Sequence, residues 1–164
     1  MIVLQPFERR HLSRTRNWTN DPELARLVGR VRQVSEDEHE RWFAELAGRT
    51  DTRFFAIETA DRGHVGNVWL ADINTRDAKA EIRIVIGEPD CVGRGIGARA
   101  IDLAACHAFE VLGMHRVYAY VLAFNPRARK AFEKCGFVLE GVLREDRRSG
   151  GGYTDVFVLA KVAS

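Results

Sequence analysis

A glycine-rich stretch near the middle of the chain has the spacing of an anion-binding loop. Gly93, Gly95 and Gly97 occupy alternate positions between an apolar run and a run with helical periodicity. Glycines let the backbone turn so that its N–H groups point inward, and a helix N-terminus adds unpaired amides and a positive dipole end. The stretch therefore predicts a cradle for a phosphate group, to which Arg94 adds a full charge.

The spacing excludes two familiar phosphate-binding patterns. The chain contains no G-x-x-x-x-G-K-[ST], and Ala100 leaves the dinucleotide pattern G-x-G-x-x-G incomplete. A tight turn between a strand and a helix would use glycines as well, so the loop by itself does not define a function.

Two stretches, taken together, resemble the GNAT acyl-CoA N-acetyltransferases. Residues 92–98 are similar to that family's pyrophosphate loop, [Q/R]-x-x-G-x-[G/A], and residues 125–137 are similar to its N-x-x-A-x-x-x-[Y/F/L]-x-x-x-G-F helix and strand. Val92 stands where the family usually has Gln or Arg, which removes one side-chain contact and leaves the backbone cradle. The resemblance covers residues 78–164 well and is weaker before them.

The resemblance implies an α/β fold with a mixed, mostly antiparallel sheet of seven strands and helices on both faces. Two neighbouring strands, 82–87 and 116–122, would splay apart to admit the pantetheine of acetyl-CoA, the co-substrate. The expected cofactor-binding residues are Ile84, Val85, Ile86, Val92, Gly93, Arg94, Gly95, Ile96, Gly97, Ala98, Asn125 and Lys130.

Acyl transfer from a thioester to an amine requires removal of a proton and stabilisation of an oxyanion. Glu81 is the candidate base, because it resembles a glutamate that many relatives carry at the start of this strand; the alternative is a surface ion pair. The backbone N–H around Val85 is the candidate oxyanion donor. Glu88 is expected to be a solvated loop charge.

The general acid is left open by the sequence. Many relatives have Tyr for this role at the position of Phe132, and a phenyl ring donates no proton. Tyr118, Tyr120 or water could replace it. Cys135 is expected to be a small buried hydrophobe, because no histidine lies near it in the sequence.

The acceptor is predicted from the N-terminal helices, where the family shapes its acceptor site. Trp18 and Trp42 are the candidate substrate residues, although core packing would also explain them. Residues 16–23 and 40–43 resemble the branch that acetylates nucleotide-linked amino sugars, so an amino sugar or sugar nucleotide is preferred. The alternatives are N-terminal alanine or polyamine acetylation, and, in another class, an acyl-CoA sensor without turnover.

The totals favour one globular domain over residues 1–164. The composition is 46% hydrophobic and 29% charged, and the net charge of +2 argues against nucleic-acid binding. No apolar run is long enough for a membrane span, and residues 1–10 lack the apolar core of a secretory signal, so a cytoplasmic protein is expected. Five histidines and three cysteines show no metal-ligand spacing, which predicts no metal. The resemblance also allows a homodimer.

Periodicity and capping residues locate the elements. Strands are expected over 1–6, 53–59, 64–72, 79–87, 116–122, 137–144 and 153–162. Helices are expected over 12–18, from Pro22, after Ser35, over 97–112 and over 126–135. The basic cluster of Arg144, Arg147 and Arg148 is expected to be a solvated hairpin end.

Overall fold

The computed structural model describes residues 1–30 and 32–164. Within these residues, seven strands form one sheet in the order β1-β2-β3-β4-β5-β7-β6. The strands are β1 Ile2–Pro6, β2 Arg53–Thr59, β3 Gly63–Asn74, β4 Lys79–Ile86, β5 Arg116–Leu122, β6 Val138–Ser149 and β7 Gly152–Val162. Only β4 and β5 pair in parallel, so the predicted mixed, mostly antiparallel sheet is confirmed.

Three of the described helices begin at the capping residues that the sequence indicates. They are α1 Leu12–Thr19, α2 Pro22–Leu27, α3 Glu36–Leu46, α4 Ile96–Cys106 and α5 Pro126–Lys134. Asp21 accepts two backbone N–H bonds at the start of α2, and Ser35 accepts one at the start of α3. Asn125 does the same for α5, where Pro126 is the first helical residue.

Strand alternation places helices on both faces of the sheet, as predicted. Ala80 and Ile82 of β4 belong to a buried apolar cluster with Ala100, Ile101 and other residues of α4. The alternate residues of β4 point to the opposite face, which α1 to α3 cover. The described helices are all too short or too polar to cross a membrane.

The winding after α4 differs from the expected continuous helix. From His107 to Val111 the helix widens, and the Leu112 N–H donates to the His107 carbonyl oxygen, five residues back. This wide turn ends before Gly113, whose φ is +69°.

The hairpin of β6 and β7 is longer than the sequence indicates. Strand β6 runs to Ser149, because a register shift between Leu143 and Arg147 absorbs extra residues and Glu145 takes a φ of +51°. Arg144, Arg147 and Arg148 are all exposed, as expected for a solvated hairpin end, and Arg147 also lines a cavity.

A gap opens in the middle of the sheet. Strands β4 and β5 pair at only three positions, and the last pair is Glu81 with Tyr118. Beyond it, β4 continues to Ile86 beside β3, and β5 continues to Leu122 beside β7. We call the space between these diverging parts the gap; it lies where the resemblance implied splayed strands.

Candidate active site

The glycine loop that follows β4 is not covered by other side chains at Gly93 and Gly95. Gly93 and Gly95 have φ values of +80° and +79°, a conformation that favours glycine, and a Cβ added at either would meet nothing within 4 Å. Conformation, not crowding, therefore requires glycine at both positions. The space above the loop is free for a ligand.

Helix α4 begins in this loop without a side-chain cap. Gly95 is the capping position, and the first turn carries no acidic residue. The first amides of the helix, including those of Ile96, Gly97 and Ala98, have no partner within the helix. Arg94 is exposed beside them. Unpaired amides, a positive dipole end and a guanidinium fit a pyrophosphate group.

A cavity of about 470 Å³, here called the gap cavity, fills the gap. Ile82 and Ile84 of β4 line one side, and Asn125, Ala128 and Phe132 of the α5 segment line another. The cavity also reaches the opposite face of the sheet at Glu81, Arg83 and Tyr120. Lys130, by contrast, is exposed on α5 and lines neither this cavity nor the one described next.

The register of β4 corrects the candidate oxyanion donor. The Gly87 N–H donates to the Val65 carbonyl oxygen of β3, and the register pairs Val85 with Asn67. Because backbone groups alternate between the two edges of a strand, the Val85 N–H also points to β3. The backbone groups of Ile84 and Ile86 face the gap instead.

Glu81 lies at the point where the gap begins and is 5% exposed. Its two carboxylate oxygens accept bonds from Arg83, at 3.0 Å from Nε and 2.8 Å from Nη2. The hydrogen bonds that Arg83 donates to Glu81 raise the pKa of the Arg83 guanidinium. The ion pair is therefore bidentate, and its carboxylate is buried, unlike the surface pair of the alternative interpretation.

The two candidate tyrosines are outside the core. Tyr120 is 46% exposed and lines the gap cavity. Tyr118 is half-buried, and its ring centroid lies 5.8 Å from that of Tyr120. Burial, followed by the charge of Glu81, raises the pKa of Tyr118 above its ordinary value of 10.0.

Phe132 on α5 and Cys135, the residue that follows α5, are both buried. Phe132 is 3% exposed and packs edge-on against Phe137, with ring centroids 5.1 Å apart. The Cys135 thiol donates to the Ala98 carbonyl oxygen at 3.0 Å, and burial raises its pKa. Cys135 is therefore the small buried residue that the sequence predicts.

A larger cavity of about 670 Å³ lies between α1 to α3 and strands β2 to β4; we call it the helix cavity. Trp18 and Trp42, the predicted substrate residues, both line it. Trp18 packs directly on Gly87, where an added Cβ would overlap the indole ring. Its Nε1 donates to Glu88 Oε1 at 3.2 Å. Glu88 is consequently a half-buried partner of Trp18, which corrects the expectation of a solvated charge.

Sequence reasoning missed three residues of these cavities: His39, Arg83 and Arg30. His39 is 5% exposed and stacks on Trp42 with centroids 5.1 Å apart, and within the described residues its Nδ1 has no hydrogen-bond partner. Burial, then the charges of Arg16 and Arg30, lowers its pKa, so the ring is neutral at pH 7.

A glycine loop at a helix N-terminus, together with a split sheet, is the arrangement that the resemblance to acyl-CoA N-acetyltransferases implied. Residues 2–138 match the sequence family described as "Acetyltransferase (GNAT) domain". The chain belongs to this family and is a GNAT N-acetyltransferase. The fold class and the family resemblance are confirmed.

Known relatives extend over nearly the whole chain. The spermidine N(1)-acetyltransferase of Vibrio cholerae is 32% identical, over 94% of this chain and 89% of that protein. The human alpha/beta-tubulin-N-acetyltransferase 9 is 26% identical, over 83% of this chain and 72% of that protein. A crystal structure of the Vibrio cholerae enzyme with CoA and spermine superposes with a TM-score of 0.93 at 30% identity, covering 98% of this chain and 95% of that one. The spermidine acetyltransferase of Vibrio cholerae favours the polyamine alternative over the preferred amino-sugar branch.

Proposed function

We propose that this protein transfers the acetyl group of acetyl-CoA to a primary amine of a small molecule. The observation that supports this most directly is that the gap cavity and the helix cavity adjoin. Arg83, Trp69 and Arg30 line both of them. A thioester entering through the gap would therefore meet an amine held beneath the N-terminal helices.

The donor would bind along the gap and the loop. The pyrophosphate would accept from the amides of residues 93–98 and from Arg94. Pantetheine would pair with the gap-facing backbone of Ile84 and Ile86, and Asn125 and Ala128 would flank it. Val85 would contribute its side chain to the helix cavity, which it lines. Val92 would add only backbone contacts, and Lys130 would reach the donor only at its exposed end.

The reaction follows from the groups at the junction. The amine nitrogen attacks the thioester carbonyl carbon, the C–N bond forms, and the C–S bond breaks. The surplus proton of the amine passes to Glu81, directly or through water, and the sulfur leaves as the thiolate of CoA. An Ile84 or Ile86 N–H would donate to the oxyanion. A thiolate with a pKa near 8.5 needs little help from a general acid, so Phe132 is compatible with turnover.

The acceptor class has support from two directions. The spermidine acetyltransferase relatives support a polyamine, and the similarity of residues 16–23 and 40–43 supports a nucleotide-linked amino sugar. A structure of the Vibrio cholerae relative is described as dodecameric. This supports self-association of the present chain, for which the sequence allowed a homodimer.

Titration calorimetry with acetyl-CoA tests the donor site. We expect wild type to bind in the micromolar range, about −8 kcal/mol, and Gly95→Asp to lose binding, because its carboxylate would repel the pyrophosphate. Gly113→Asp is a matched control: Gly113 also has a positive φ, and a Cβ there also meets nothing within 4 Å. Equal loss in both variants would attribute the effect to backbone strain and contradict the cradle.

Release of free thiol from acetyl-CoA, measured with a panel of amines, tests turnover. Spermidine, glucosamine and an alanine-terminated peptide represent the three acceptor classes. Thiol release that depends on one amine supports the enzyme. Donor binding without release for any amine would support the sensor interpretation.

A further inference from the structure

We infer that the helix cavity contains a subsite for an anionic group at Arg30, so that the preferred acceptor is an amine that also carries a carboxylate or a phosphate. This inference rests on the proposed function and specifies its acceptor. It concerns the end of the acceptor that lies away from the reacting amine.

Arginines outnumber carboxylates among the residues that line the helix cavity. Five arginines line it: Arg30, Arg32, Arg41, Arg49 and Arg83. Three carboxylates line it: Glu38, Glu45 and Asp72. Carboxylates pair with Arg32, Arg49 and Arg83. This leaves Arg30 and Arg41 as the lining arginines that could attract an anion.

Among the described residues, Arg30 and Arg41 have no carboxylate partner, and of these two Arg30 is half-buried whereas Arg41 is exposed. Arg32 pairs with Glu38 at 3.0 Å, and Arg49 pairs with Asp51 at 3.0 Å. The bond that Arg30 makes is from Nη1 to the Thr19 carbonyl oxygen, at 3.1 Å. Among residues 1–30 and 32–164, no carboxylate oxygen lies within 4.0 Å of its guanidinium.

Burial makes this lone charge unfavourable until an anion joins it. Arg30 is half-buried, and desolvation lowers its pKa with no compensating charge. A guanidinium keeps its proton at neutral pH even so, and it presents a planar fork that matches carboxylate and phosphate oxygens. A bound anion would offset the desolvation.

A second arginine approaches the same place from the other side. Arg147 lines the gap cavity together with Arg30, and its Nη1 would lie 3.4 Å from a Cβ added at Gly29, the neighbour of Arg30. The partner of Arg147 is Asp146, at 3.5 Å. The loop before α3 and the β6–β7 hairpin thus bring two guanidinium groups to the lining of the gap cavity, which Glu81 also lines.

The preference for an anionic acceptor can be tested with pairs of amines, one member of which carries an additional anionic group. Glucosamine 6-phosphate is compared with glucosamine, and 6-aminohexanoate with hexylamine, while spermidine represents the polyamines. We expect kcat/KM to be about 10-fold or more greater for one or both anionic members, as for a charge-assisted bond. The phosphate and carboxylate pairs show which anion is used. Spermidine or a neutral member as the best acceptor would overturn the inference.

Variants of Arg30 test the residue. Arg30→Gln should raise KM for the anionic amine by about 10-fold or more, with little change for its neutral counterpart, and Arg30→Lys should be intermediate. Arg76→Gln, which removes an exposed charge from the β3–β4 turn, should change neither. An equal effect of Arg30→Gln on both members of a pair would show that Arg30 only positions the helices, and would overturn the subsite.

A binding measurement separates this inference from the proposed function. Glucosamine 6-phosphate and 6-aminohexanoate are titrated calorimetrically into wild type and Arg30→Gln, with unfolding midpoints to confirm that both are folded. Absence of turnover with every amine would contradict the proposed function alone. Binding that Arg30→Gln loses would still support the subsite, and failure of both anionic amines to bind wild type would overturn it.

Discussion

Glu81, the proposed base, is held in an ion pair with Arg83. Both of its oxygens accept from Arg83, so the carboxylate is firmly placed where the gap begins. These bonds use two of the about four lone-pair sites of the carboxylate. A proton would therefore reach Glu81 at a remaining site, through water, or after Arg83 swings away. The exposed position of the Arg83 side chain, which is 48% accessible, leaves room for such a change.

Glu81→Gln distinguishes catalysis from ion pairing. We expect kcat to fall about 100-fold or more, the usual contribution of a general base, with KM for acetyl-CoA unchanged. Steady-state kinetics measure both parameters. Glu110→Gln, at an exposed position beyond α4, is the control and should resemble wild type. A Glu81→Gln enzyme with normal kcat would reduce Glu81 to a structural partner of Arg83.

At the residue scale, the sequence predicted the position of β4 but not which of its backbone amides face the gap. Glu81 and Arg83 are two residues apart in β4, so strand alternation alone could have put them on one face. The donor edge of Val85 could not be foreseen, because a one-residue change of register reverses which amides face the gap. Arg30 and His39 depend on how a connection and a helix pack, which local periodicity does not encode.

At the element scale, Gly87 joins β4, the loop and α1. The Trp18 indole covers it so closely that only glycine fits, and the indole N–H reaches the carboxylate of the next residue, Glu88. The end of β4 thereby links the wall of the helix cavity to the start of the donor loop.

Gly87→Ala should disturb the contact between Trp18 of α1 and the end of β4. We expect a loss of about 1–3 kcal/mol in the free energy of unfolding, because the added methyl overpacks a closed site, together with weaker acetyl-CoA binding. Urea denaturation and calorimetry measure the two effects. Gly48→Ala is the control, since a Cβ there meets its nearest atom at 3.8 Å, an ordinary contact. Unchanged stability of Gly87→Ala would mean that Trp18 moves freely.

Most element boundaries were predictable because caps and turn residues mark them locally. Asp21, Ser35 and Asn125 each start a helix as expected. The wide turn at 107–111 and the extension of β6 were not predictable, since neither an extra residue in a helical turn nor a positive φ at Glu145 changes the apolar pattern.

At the scale of the whole molecule, two buried histidines link stability to pH. His39 and His64 are 5% and 8% exposed, and burial lowers the pKa of each below the ordinary value of 6.5. His64 Nε2 lies 2.8 Å from Asn67 Oδ1, so the ring sits in a polar network that orients it without charging it.

The stability of the protein should therefore fall on mild acidification. Above pH 6.5 both rings are neutral folded or unfolded, and their contribution is fully present. As the pH falls from 6.5 toward the lower folded values, the unfolded chain binds protons first and stability is lost. Denaturant unfolding at pH 7.5 and 5.5 measures the difference, which His64→Gln should reduce and the exposed His115→Gln should not. An unchanged difference in His64→Gln would contradict this assignment.

The gap also has a consequence for cooperativity. Four strands on one side and three on the other meet at three residue pairs, so the β4–β5 junction is the pair of neighbouring strands with the fewest paired residues. A donor molecule lying there would offer its amide groups to the two loose edges and act as a short eighth strand. A bound donor would then join the two halves of the sheet, so that they would unfold more cooperatively in the complex than in the free protein.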